Sequence, residues 1–141
     1  MRFTVKHFPI PCLVRSLAIL FVTIAGCSPG PITGGTSGVL RTDGNPLADV
    51  QLTIYTATPS TNYDESLGYG VTSGAGKFEL VKQDSTGPLY LEPGSYVVVL
   101  ESVGAPTDLP AEYLTRNSTP LKVDLSNNAT LELNVPGLTL K

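Results

Sequence analysis

The chain contains no tryptophan, a single histidine (His7), a single methionine (Met1) and two cysteines, and everything in that short list except Cys27 falls within the first 26 residues. From Cys27 onward there is no imidazole and no second thiol. A Ser/His or Cys/His nucleophile pair is excluded there, as are a zinc or copper site of the usual kind and an intrachain disulfide. Stability then rests on apolar burial, and no cofactor is expected. Positive charge is scarce too. Setting aside Arg2, Lys6 and Arg15 leaves six basic residues (Arg41, Lys77, Lys82, Arg116, Lys122, Lys141) against twelve acidic ones, a net charge of −6. The six are scattered, and a phosphate backbone would be repelled, so nucleic-acid binding is set aside. A long apolar run is also missing. Leu17 to Ile24 (LAILFVTI) stops well short of the roughly 20 residues that a membrane-spanning helix needs.

What that apolar stretch does have is a setting. Arg2, Lys6 and Arg15 precede it, and Ile24-Ala25-Gly26-Cys27 closes it. Basic residues, a short apolar run, two small residues and a cysteine, in that order, resemble the signal and lipobox of bacterial lipoproteins. The resemblance implies a signal peptide over 1–26, cleavage before Cys27, and diacylglyceryl attachment to its sulfur, with acyl chains such as palmitate as the anchor. Each buried methylene contributes about 0.8 kcal/mol, and more than one chain holds durably. The membrane is thus the first expected partner. Ser28 stands where an aspartate would favour inner-membrane retention in enterobacteria, so the expected location is the outer membrane, facing the periplasm or the cell surface.

The 115 residues left of 141 suit one domain with a core. Residues 27–35 open it as a flexible tether rich in Ser, Pro, Gly and Thr. Over 36–141, short apolar runs are broken by Gly, Pro, Asn and Asp about every ten residues, and no stretch holds a helical period. This predicts an all-β sandwich. Val50, Leu52 and Ile54 alternate with polar neighbours, as do Leu121, Val123 and Leu125, and Leu131, Leu133 and Val135. The last two sets flank Ser126-Asn127-Asn128-Ala129 and are expected to form an antiparallel hairpin. Tyr96 to Leu100 (YVVVL), apolar on both faces, is expected to be the central strand. With Val39-Leu40, Phe78-Leu80 and the glycine-weakened Leu67 to Thr72, seven strands are expected. Leu109, Tyr113 and Leu114, in a long crossover from Gly104 to Thr119, are expected to cap one end of the core.

Four stretches in order carry a second resemblance: Gly38 to Leu47 with Val50-Gln51-Leu52; Thr72 to Leu80; Leu91-Glu92-Pro93-Gly94-Ser95-Tyr96-Val97-Val98; and Leu109 to Tyr113 followed by Ser118 to Leu121. Together they resemble carboxypeptidase regulatory-like domains, which implies a seven-stranded Greek-key sandwich of transthyretin-like type and a non-catalytic role. Ser73 and Gly74 stand where that family's aspartate falls. Gly44, Gly76 and Gly94 and Pro46 and Pro93 read as turn residues without chemistry. The purine-degrading hydrolase of that fold relies on histidines and a C-terminal Tyr-Arg-Gly-Ser, whereas this chain ends Pro-Gly-Leu-Thr-Leu-Lys.

A non-catalytic structural or protein-interaction module at the envelope is the expectation. A glycan- or calcium-binding module is the alternative. In such a sandwich the loops 58–66 and 82–94 would share one end, gathering Asp64, Glu65, Asp84 and Glu92 as hard oxygen donors. Tyr63, Tyr69 and Tyr90 would lie near them, offering rings to a sugar or to an envelope protein.

Overall fold

The computed structural model describes residues 30–58, 65–104, 108–126 and 130–138. Cys27, its lipobox, Tyr63 and Asp64 lie outside the described residues. Within them the chain is all-β: nine strands in two sheets and one 3₁₀ turn, Ala111–Leu114. The strands are β1 (Ser37–Thr42), β2 (Asn45–Pro46), β3 (Val50–Thr56), β4 (Gly68–Val71), β5 (Lys77–Glu79), β6 (Val81–Lys82), β7 (Gly94–Ser102), β8 (Lys122–Leu125) and β9 (Leu131–Asn134). The seven expected strands are all present, and β2 and β6 are two-residue additions.

The first sheet is built on β1. One edge of β1 pairs antiparallel with β5 and, farther along, with β2, while its other edge pairs with β9 in parallel. The second sheet runs β6-β4-β3-β7-β8 with every neighbour antiparallel. Between the sheets lie Leu40, Val50, Leu52, Ile54, Phe78, Leu80, Val98, Leu100, Leu131, Leu133 and Val135, none more than 3% exposed. Period-2 alternation places them: in β3, Val50, Leu52 and Ile54 are buried while Gln51, Thr53 and Tyr55 face outward.

Two expectations about strand placement are corrected. Residues 121–125 and 131–135 do not form a hairpin: β8 closes the second sheet beside β7, and β9 crosses to the first sheet beside β1. Each strand has one buried face and one wet face, and alternation alone cannot say which sheet supplies the partner. The middle position of the second sheet belongs to β3, with β7 next to it. On the outward face of β7 only Val97 is buried, at 7% exposed. Opposite it on β3 is Tyr55, where the Arg116 guanidinium stands 5.1 Å from the ring centroid and donates to the neighbouring Thr56 carbonyl at 2.8 Å.

The turns follow their chemistry. Asp43 (φ 47°) and Gly44 (φ 87°) both take the left-handed region, as a two-residue Asp-Gly hairpin between β1 and β2 requires. Gly76 (φ 69°) packs so closely under β1 that a Cβ would stand 2.5 Å from the Leu40 carbonyl oxygen. Gly94, in contrast, opens β7 without a positive φ, so its expected role as a source of turn freedom is not needed. Tyr113 is buried and Leu109 packs against the core, as expected of an end cap, but Leu114 is 46% exposed.

Candidate functional site

β3 ends at Thr56, and the chain returns at Glu65 to lead into β4. Beside that return, β6 turns over through residues 83–87. Leu67 N–H donates to the Ile54 carbonyl at 2.8 Å and Gln83 N–H to the Leu67 carbonyl at 3.3 Å, which fixes the two segments side by side. The turn holds itself: Lys82 N–H donates to Gly87 O and Ser85 N–H to Lys82 O. The Asp84 carboxylate accepts from the Thr86 N–H at 3.1 Å and from its hydroxyl at 2.8 Å, an Asx turn. Those bonds from Thr86 come first, and Lys82 adds to them, in holding the Asp84 carboxyl below its ordinary range.

Between the segments lies an open cleft of about 600 Å³ with Glu65, Ser66, Lys82, Gln83 and Asp84 around it and Leu67 and Leu89 as its apolar walls. The Ser66 hydroxyl donates to the Gln83 amide oxygen at 2.6 Å. An amide oxygen is no base, so this hydroxyl is positioned without being activated as a nucleophile. One ammonium, two carboxylates and a fixed amide over two leucines make a surface suited to hydrogen bonding.

Of the residues singled out from the sequence, Glu65 and Asp84 do come to this one cleft. Tyr90 does not. It is 68% exposed and borders a separate hollow of about 330 Å³ with Thr36, Ser37, Leu91, Leu125 and Thr130. Glu92 is an exposed residue whose backbone carbonyl accepts from the Tyr96 hydroxyl at 2.6 Å. Tyr69 is on the outer face of the second sheet, its hydroxyl 2.8 Å from the Ser85 hydroxyl. Of the four carboxylates expected to share an end, Glu65 and Asp84 line the cleft and Glu92 does not, while Asp64 lies outside the described residues. Among the described residues no group of three His, Cys, Asp or Glu side chains is placed to hold a metal. Lys82, Ser66 and Gln83 are functional candidates that the sequence alone does not single out. The Asp84-Ser85-Thr86 Asx-turn signature is the signal that marks their loop as rigid.

The segment that leads into β1 is tied down by several hydrogen bonds. Thr36 N–H donates to Leu89 O at 2.8 Å, Leu80 N–H to Thr36 O at 2.9 Å, and Leu91 N–H to the Thr36 hydroxyl at 2.8 Å. Gly34 N–H donates to the Glu79 carboxylate at 2.7 Å. Gly35 has no room for a Cβ, which would press into the Leu80 carbonyl oxygen. Packing thus reaches back into the stretch read as tether. No helix among the described residues is long and apolar enough to cross a membrane. No family model, no curated protein and no solved structure matches this chain.

Proposed function

We propose that this protein is a lipid-anchored, non-catalytic envelope lipoprotein whose β-sandwich serves as a structural or protein-interaction module. The observation that carries the reading is Ile24-Ala25-Gly26-Cys27 behind a short apolar run with basic residues ahead of it. The position of the folded body supports it: the first strand of the two-sheet domain begins at Ser37, ten residues beyond that cysteine, so the acylated residue would hold the domain close to the bilayer. Extended chain spans at most about 3.6 Å per residue, which keeps Gly34 within roughly 25 Å of Cys27. The outer membrane is the proposed location. A Greek-key sandwich of the transthyretin-like, carboxypeptidase regulatory-like type is the proposed fold family, and the strand order β6-β4-β3-β7-β8 facing a β1-centred sheet is compatible with it.

The test is mass spectrometry of the N-terminal peptide from membrane fractions of the native host, comparing wild type with Cys27→Ala. The expected result is an acylated Cys27 in the outer-membrane fraction that disappears on substitution. An unmodified N-terminus at another residue, in a soluble fraction, would overturn the reading. The glycan alternative has one observation in its favour, the Glu65–Lys82–Asp84 cleft. It expects a rise in melting temperature with an oligosaccharide and none with Lys82→Ala and Asp84→Ala together.

A further inference from the structure

The first and last strands of the described domain lie side by side and run the same way. β1 and β9 are in parallel register from Gly38 opposite Leu131 to Arg41 opposite Asn134, and Val135 N–H extends the ladder to the Arg41 carbonyl at 2.8 Å. In a parallel pair the preceding chain leaves from one end of β1 and the following chain from the opposite end of β9. Tension between the two chain ends then runs along the strands and shears the ladder. Its hydrogen bonds must then fail together and not in succession.

β1 is held at both of its ends. Where β1 begins, Thr36 is held through its N–H, its carbonyl and its hydroxyl, and Gly34 is tied to Glu79. Where β1 ends, Gly137 N–H, just past β9, donates to the Asp43 carboxylate at 3.1 Å. On its other edge β1 is bonded to β5 and β2, so it cannot slide past β9 without breaking those ladders as well. Beneath the pair, Leu40 and Val135 are fully buried and Leu131 and Leu133 are 3% exposed. A slip of one residue would turn those side chains out of the core.

We propose that the β1–β9 pair is a shear clamp that lets the folded domain carry tension applied between its two chain ends. The mechanical property stands apart from the Cys27 reading; only the direction from which tension arrives, the membrane, rests on it. The test is single-molecule pulling of the full chain in detergent, with one handle at the C-terminus. The second handle is placed either at the N-terminus, which shears β1 against β9, or through a click-reactive side chain at Asn45, which unzips the same ladder from its Asp43 end. The expected unfolding force at matched loading rate is about twofold or more higher in the shear geometry, because forced unfolding is governed by the unfolding barrier. Equal or lower force in shear would overturn the proposal. Leu133→Ala in β9 and Leu125→Ala in β8 give a second reading, since both remove a buried leucine. For the same fall in melting temperature, only Leu133→Ala is expected to lower the shear force, and equal losses of force would also overturn it. Absence of acyl chains on Cys27 would leave the force ratio untouched, which keeps the two readings separable.

Discussion

Four small residues show how differently the same side chain behaves in this fold. Gly38 lies opposite Phe78 across β1 and β5, and the Phe78 ring covers it so closely that a Cβ would collide with the ring and stand 2.7 Å from the Leu131 carbonyl oxygen. Gly38→Ala is expected to cost about 1–3 kcal/mol by overpacking. Gly74, in the turn before β5, has nothing within 4 Å and no positive φ, so Gly74→Ala is expected to be neutral or to stabilise by about 0.4–1 kcal/mol through the unfolded chain. Urea denaturation of both variants checks the pair. Thr119 and Thr42 form a second contrast. The Thr119 hydroxyl donates to the Val98 carbonyl at 2.7 Å and accepts from Leu121 N–H at 3.2 Å, whereas Thr42 Oγ1 is buried without a hydrogen-bond partner among the described residues. Thr119→Val should therefore destabilise by about 1–3 kcal/mol, and Thr42→Val should be neutral or stabilising, in the same assay.

At the scale of elements, Arg116 ties the segment before β8 to the end of β3. Arg116→Ala removes a hydrogen bond to Thr56 and a ring contact with Tyr55. A loss of about 1–2 kcal/mol is expected, with tyrosine fluorescence reporting the change around Tyr55. Nothing in the sequence marks this residue, because Arg116 is far from Tyr55 along the chain and belongs to no periodic pattern itself. The strands themselves are legible for the opposite reason. Val50-Leu52-Ile54 and Leu131-Leu133-Val135 alternate with polar residues, and that period is a direct image of one buried face. Even β4 is readable despite Gly68 and Gly70. A Cβ at Gly68 would press into the Val81 carbonyl oxygen and one at Gly70 would stand 2.9 Å from the Glu79 carbonyl oxygen, so the glycines admit the β5–β6 segment passing over them. What the pattern cannot supply is partnership. A short polar segment between two alternating strands suggests a hairpin, yet β8 and β9 belong to different sheets. The cleft is half legible: Glu65 leads into β4 and Asp84 follows β6, its antiparallel neighbour, so the two share an end, while Tyr90 and Glu92, farther along the same loop, do not line the cleft.

Across the whole molecule, the titrating groups with resolved shifts set a pH window. Burial, and then the Glu92 carboxylate, raise the Tyr96 phenol above its ordinary value of 10.0, and burial with Glu112 does the same for Tyr113. For a phenol raised in the folded state, the stabilisation is complete below the unfolded value and is lost as pH rises through the folded one. Asp84, lowered by Thr86, has the opposite sign: its contribution is present above the ordinary carboxylate value and is lost as pH falls through the depressed one. The urea midpoint is therefore expected to be flat through neutral pH and to decline above about pH 10, with a shallower decline in Tyr96→Phe. Topology adds a constraint on time. β1 holds the middle of its sheet, but one of its edges is satisfied only by the strand that begins at Leu131, near the far end of the chain. Contacts of such sequence separation close slowly. A nascent chain that has not yet released residues 131–135 has β1 half-paired and its core short of Leu131, Leu133 and Val135. The two sheets can therefore close over a full core only after β9 has been made, and until that moment the earlier strands wait for their keystone.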